Sequence, residues 1–171
     1  DALYSSTTAS QNVAVGTDAM YSNQTGTNNV AFGHAALEKT TANNNSAVGY
    51  YALSTLTTGD RNTAVGAAAG MTATTSTATT FIGYRAGLTS TDGLNNATAI
   101  GNEAQVTQSN SLVLGGTGID AVNVGINTTA PAYRLDVNGV VNATELRVNG
   151  TPISSGGSNW TKSGSDLSYT A

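Results

Sequence analysis

The 171-residue chain has no cysteine, only two prolines, and charged residues at just 9%. Each shortage excludes something. Without cysteine there can be no disulfide framework and no thiolate metal site. Six Lys+Arg against ten Asp+Glu leave a net charge of −4, whereas a nucleic-acid-binding surface needs a concentrated basic face. No segment approaches the roughly 18 consecutive apolar residues of a membrane-spanning helix, and no secretory signal peptide is recognisable. The helix formers Leu, Glu, Lys and Arg are scarce. Disorder goes with high charge and many prolines, and this chain has neither.

What remains is a narrow alphabet. The chain holds 28 Thr, 25 Ala, 20 Gly, 18 Asn and 16 Ser, together 107 of 171 residues. Thr favours strands; Asn, Ser and Gly favour turns. A polar, small-residue chain of this kind points to a repetitive β architecture.

The repeat is explicit. Asn12-Val13-Ala14-Val15-Gly16 recurs as Asn29-Val30-Ala31-Phe32-Gly33, Asn45-Ser46-Ala47-Val48-Gly49 and Asn62-Thr63-Ala64-Val65-Gly66. Looser copies end at Gly83, Gly101 and Gly115, so the glycine spacings are 17, 16, 17, 17, 18 and 14. Three residues after the first six glycines stands an alanine: Ala19, Ala36, Ala52, Ala69, Ala86 and Ala104. Ala2-Leu3-Tyr4-Ser5 matches Ala19-Met20-Tyr21-Ser22 at the same spacing of 17, so the chain is expected to open inside a repeat. Helical repeats need more than about 30 residues. A unit of this length fits one coil of a β-solenoid, with coils about 4.8 Å apart.

Within each unit the large residue before the glycine and the alanine two before it alternate, so they face opposite sides of a strand. Glycine ends the strand where the chain must turn. Thr25-Gly26, Thr58-Gly59 and Asp92-Gly93 mark the other turn. The column Asn12, Asn29, Asn45, Asn62 is read as turn residues, compatible with a stacked amide ladder. Alanine-rich coils form a thin core. Lateral association follows as an expectation, with alanine columns packed on neighbouring subunits in a threefold arrangement.

The Asn-x-Ala-Val-Gly-x-x-Ala pattern over roughly residues 2–118 resembles the head repeats of YadA-type trimeric autotransporter adhesins. That resemblance implies a left-handed parallel β-roll of about six to seven coils, with three chains packed as a homotrimer. Turn residues such as Thr40-Thr41-Ala42-Asn43-Asn44 account for a unit slightly longer than that family's commonest repeat. After Gly118 the pattern changes. Val124-Gly125-Ile126-Asn127-Thr128-Thr129-Ala130-Pro131 and Leu135-Asp136-Val137-Asn138-Gly139 resemble a connector module of phage tail fibres and bacterial fibre proteins. It implies a small β-rich trimeric connector. Glu145-Leu146-Arg147-Val148 alternates as a half-buried strand should. Ser154-Ser155-Gly156-Gly157-Ser158 reads as a turn or linker, and Trp160–Tyr169 as a hairpin. The expected organisation is 1–118 β-roll, 119–153 connector, and 154–171 linker with the start of a further hairpin module.

The chemistry on offer is sparse. A glycosidase needs two carboxylates roughly 5–9.5 Å apart. Asp18 and Glu103 share one position of the repeat but lie five coils, or about 24 Å, apart at the stacking distance. Glu38, Asp60 and Asp92 fall elsewhere in the coil. His34 is the only histidine, leaving one candidate base for a triad. It reads as a solvated turn residue rather than a metal ligand, and the Gly-Gly-x-Gly-x-Asp calcium repeat is absent. No catalytic, cofactor-binding or metal-ligating residue is therefore assigned, and the chain is not expected to be an enzyme. Thr72–Thr80 suggests an ice-binding array, but those threonines fall within one coil. The positions after the glycines bring His34, Tyr50, Tyr51, Tyr84 and Arg85 to one side as a candidate surface-contact patch for a cell-surface glycan or protein. Ala67 and Ala68 interrupt it. The expected role is a structural segment of an extracellular, cell-surface or virion-associated trimeric fibre or adhesin. It would project and position a recognition tip; the alternative is a glycan-binding or glycan-processing tail-fibre segment.

Overall fold

A computed structural model describes residues 1–87, 92–117 and 121–142, and the backbone of strands at 147–148, 151–152, 160–163 and 166–169. The described residues are all β and turn, with no helix. The chain divides into two compact units, Asp1–Val124 and Gly125–Ala171.

The first unit is a solenoid of about six turns. Each turn contributes one three-residue strand: β1 (Val13–Val15), β2 (Val30–Phe32), β3 (Ser46–Val48), β4 (Thr63–Val65), β5 (Thr80–Ile82), β6 (Thr98–Ile100) and β7 (Leu112–Leu114). They form a seven-stranded sheet in chain order. Every pair is parallel and in register, Ala31 opposite Ala14 and Ala47, Phe32 opposite Val15 and Val48. The partial unit at the start stacks too: Leu3 N–H donates to the Ala19 carbonyl at 3.0 Å, as Met20 N–H does to that of Ala36.

The coil turns where the sequence places glycine. Gly16, Gly33, Gly49, Gly66, Gly83 and Gly101 have φ between 124° and 142°, a region closed to side-chain-bearing residues. A Cβ on Gly49 would sit 2.4 Å from the Gly66 carbonyl oxygen. Two further corners use left-handed conformations without glycine. One comprises Asp18, Ala35, Tyr51, Ala68, Arg85 and Glu103; the other comprises Gln11, Asn28, Asn44, Arg61, Ala78, Asn96 and Asn110. Asparagine tolerates that conformation, so the second corner had a signal in the Asn-Asn pairs. A third left-handed column runs Leu3, Met20, Leu37 and Leu53 and passes to glycine at Gly70 and Gly87; Leu and Tyr at such positions run against preference and gave no signal.

The interior reverses one expectation. The strand-centre alanines Ala31, Ala47, Ala64 and Ala99 are fully buried inside the coil, as are the alanines three after each glycine. They therefore cannot pack on neighbouring subunits. Their backbone approach makes the coil thin, and Met20, Leu37, Leu53 and Leu56 fill the rest. Phe81 is the large exception in the strand-centre column, and the chain makes room for it. The column holding Met20, Leu37 and Leu53 changes to Gly70 and Gly87, where a Cβ would meet the Phe81 ring at 2.6 and 2.3 Å.

The asparagine column is a buried ladder as well as a turn. Asn29, Asn45 and Asn62 are buried. Each Oδ1 accepts from the backbone N–H one coil on: Asn12 from Asn29, Asn29 from Asn45, Asn45 from Asn62, and Asn62 from Thr79, all at 2.8–2.9 Å. Each Nδ2 donates to a turn carbonyl of the next coil boundary, those of Gly26, Ala42, Gly59 and Ser76. Every buried amide is thus satisfied, which an interior polar column requires.

From the boundary onward, β8 (Val124–Ile126) and β9 (Leu135–Val137) form a two-stranded sheet. Asn138 N–H donates to the Ile126 carbonyl at 2.9 Å. β10 (Arg147–Val148) pairs antiparallel with β11 (Thr151–Pro152), and β12 (Trp160–Ser163) with β13 (Asp166–Tyr169). The last pair is the hairpin expected over Trp160–Tyr169. The linker expected at 154–158 and the Glu145–Leu146 half of the expected strand lie outside the described residues.

Candidate functional surfaces

With alanine inside, the other two residues of each strand face out. Val13, Val15, Val30, Phe32, Val48, Val65, Ile82, Ile100, Leu112 and Leu114 are 37–62% exposed. No charged residue occurs in any of β1–β7. The result is a continuous apolar strip about 30 Å long, taking six spacings of about 4.8 Å. Ser46, Thr63, Thr80 and Thr98 put hydroxyls beside its middle. Isolated apolar side chains on a surface are ordinary, but a contiguous patch marks an interaction site.

The patch expected from the sequence divides into two clusters. His34 and Tyr50 stack with centroids 5.3 Å apart and planes 28° apart. Tyr51 lies 5.3 Å from His34 and meets Tyr50 edge-on at 4.4 Å. Its hydroxyl is held above the usual tyrosine pKa, chiefly by Tyr50, with burial, Glu38 and Asp18 adding to the effect. One coil further on stand the small residues Ala67 and Ala68. Beyond them the Arg85 guanidinium lies 5.8 Å from the Tyr84 ring centroid and 3.1 Å from Glu103 Oε1. Arg85 and Glu103 occupy the same position of adjacent coils, so their pairing was readable from the repeat register. A second stack, Tyr4 on Tyr21 at 5.0 Å and 4°, was readable from the same spacing of 17.

The remaining polar groups build the coil. Asp92 Oδ1 accepts from Thr74 N–H, Thr75 N–H, the Thr75 hydroxyl and Gly93 N–H. Hydrogen bonds from Thr74 and Thr75 hold its carboxyl down at about 2. The threonines also recur more regularly than their sequence suggests. Thr41 and Thr57 hydroxyls donate to the Thr57 and Thr74 carbonyls one coil on, and Thr55 does the same to Met71. Asp18 contacts the terminal amine of Asp1 at 3.1 Å. Among the described residues no group of three His, Asp or Glu side chains could hold a metal ion, and no helix is long and apolar enough to cross a membrane.

The fold and its columns define a class, the parallel β-solenoid repeat protein. In comparisons with protein-family models, curated proteins and solved structures, none matched this chain.

Proposed function

We propose that this chain is a structural segment of a homotrimeric extracellular fibre or adhesin, a left-handed β-roll of the YadA head type followed by a tail-fibre-type connector. Its work is mechanical: it projects and positions a recognition tip for attachment to a cell surface. The observation that carries this reading is the uncharged apolar strip on the outer side of β1–β7. Covering that strip would contribute roughly 25 cal/mol per Å² of apolar surface removed from water, stabilisation that a thin alanine core cannot supply alone. A closed threefold arrangement lets three identical strips cover one another without leaving a sticky end. The repeat motif and the Val-Gly-Ile and Leu-Asp-Val strands support the same reading by resemblance.

Light scattering during gel filtration tests it. A particle of three 17.1 kDa chains with a mostly β circular dichroism spectrum is expected. A monomer at micromolar concentration would overturn the reading.

A further inference from the structure

We propose that the one-coil notch between Tyr50 and Tyr84 is a binding site for a single pyranose residue of an uncharged glycan. The solenoid supplies its own ruler. Rings on adjacent coils stack at 5.0 and 5.3 Å, as Tyr4 does on Tyr21 and His34 on Tyr50. The position after the strand glycine runs His34, Tyr50, Ala67, Tyr84. His34 stacks on one face of Tyr50 with the planes 28° apart and Tyr51 meets it edge-on at 4.4 Å, which turns the other face of Tyr50 toward the coil of Ala67. Ala67 carries no ring to cover it, and Tyr50 remains 57% exposed. Tyr84, at 53% exposed, stands two coils from Tyr50, about 10 Å at about 4.8 Å per coil. A flat ring inserted at the Ala67 level would lie roughly 4.8 Å from each tyrosine, inside the 4.5–7 Å range of ring stacking.

The rim selects a sugar over an aromatic side chain. A pyranose has apolar C–H faces and a hydroxylated edge. The Tyr51 hydroxyl and the half-exposed Arg85–Glu103 pair can hydrogen-bond such an edge; a phenyl ring offers them nothing. The charge balance selects a neutral sugar. Arg85, the rim's cation, is already paired with Glu103 at 3.1 Å, so an acidic sugar would have to compete with Glu103 for it. All the residues of the site come from one chain. In a fibre, identical notches would act together by avidity.

Saturation-transfer NMR on the whole chain tests the proposal with four probes: methyl β-D-glucopyranoside, methyl β-D-galactopyranoside, methyl N-acetyl-β-D-glucosaminide and N-acetylneuraminic acid. Transfer to at least one neutral glycoside and none to the acidic sugar is expected. Tyr50→Ala and Tyr84→Ala should each weaken binding at least tenfold. Ala67→Tyr should fill the missing rung and abolish binding while the circular dichroism spectrum is kept. No transfer to any neutral glycoside would overturn the proposal, as would undiminished binding by Tyr84→Ala or by folded Ala67→Tyr. Stronger transfer to p-cresol than to every glycoside would overturn it in favour of an aromatic side chain of a protein partner.

Discussion

The two sides of the same seven strands carry opposite kinds of side chain. Inside stand Ala31, Ala47 and Ala64; outside stand Val30, Phe32, Val48 and Val65. In an ordinary globular sheet the large apolar residues face the core and small polar ones face water. In β1–β6 the order is inverted, because adjacent walls of the coil approach too closely for side chains much larger than alanine at the strand centre. The single large residue there, Phe81, is accommodated only because Gly70 and Gly87 give up their side chains. The inside of the sheet therefore completes one chain, and the outside is left with apolar surface that one chain cannot bury. The difference separates what folds the coil from the face that the proposed trimer would cover.

Four substitutions probe that separation, the largest effect first. Gly49→Ala, at a corner with φ of 142° and a carbonyl 2.4 Å from the new Cβ, should cost at least about 3 kcal/mol. Chemical denaturation should show it as a lower midpoint. Asn45→Leu removes the interior ladder at one rung, leaving Asn62 N–H and the Gly59 carbonyl without their partner. Two buried polar groups at about 1–3 kcal/mol each set an expected loss of about 2–6 kcal/mol, read the same way. Ala47→Val overpacks the inside and should cost about 1–3 kcal/mol. The same added bulk one residue on, Val48→Ile, faces outward and should leave the coil's own stability within about 0.5 kcal/mol. Equal costs for these two would break the comparison.

The smallest effect is electrostatic and lies at a turn, away from both sides of the sheet. Asp92 has its carboxyl lowered from the ordinary 3.8 to about 2 by Thr74 and Thr75. A depressed folded-state pKa stabilises the fold above the unfolded value and loses that contribution as pH falls through the folded one. Wild type should therefore exceed Asp92→Asn in thermal stability at neutral pH, with the gap closing between about pH 4 and pH 2. Asp92 is exposed, so the gap should be small. A gap that widens on acidification would contradict the assignment.

Much of this architecture was legible in the sequence. The spacing of Gly16, Gly33, Gly49 and Gly66 gave the coil length, and the alanine between two larger residues gave the strand. The asparagine column reads as turn residues compatible with a ladder, and the structure shows the ladder with Asn29, Asn45 and Asn62 buried. Which side faced inward was not legible. Alternation separates two faces of a strand without saying which is the core, and the usual preference for large apolar residues inside points the wrong way. The left-handed corners at Tyr51, Arg85 and Glu103 were hidden for a related reason: stacking against neighbouring coils overrides the local preference of those residues. For the candidate patch, the register puts His34, Tyr50, Ala67 and Tyr84 in one column. Its division followed from Ala67 and Ala68, but the stacking of Tyr50 on His34 required coordinates.

A chain without cysteine allows a direct test of what covers the outer side. Val48→Cys places one thiol in the apolar strip, and its labelling by a maleimide reports whether the strip is covered in solution. Slow labelling at micromolar concentration, accelerating on dilution as subunits separate, is the expected result, with Thr58→Cys at an exposed turn labelled fast throughout. Fast labelling of Val48→Cys at every concentration would mean that the outer side stays open to water, and would contradict the account.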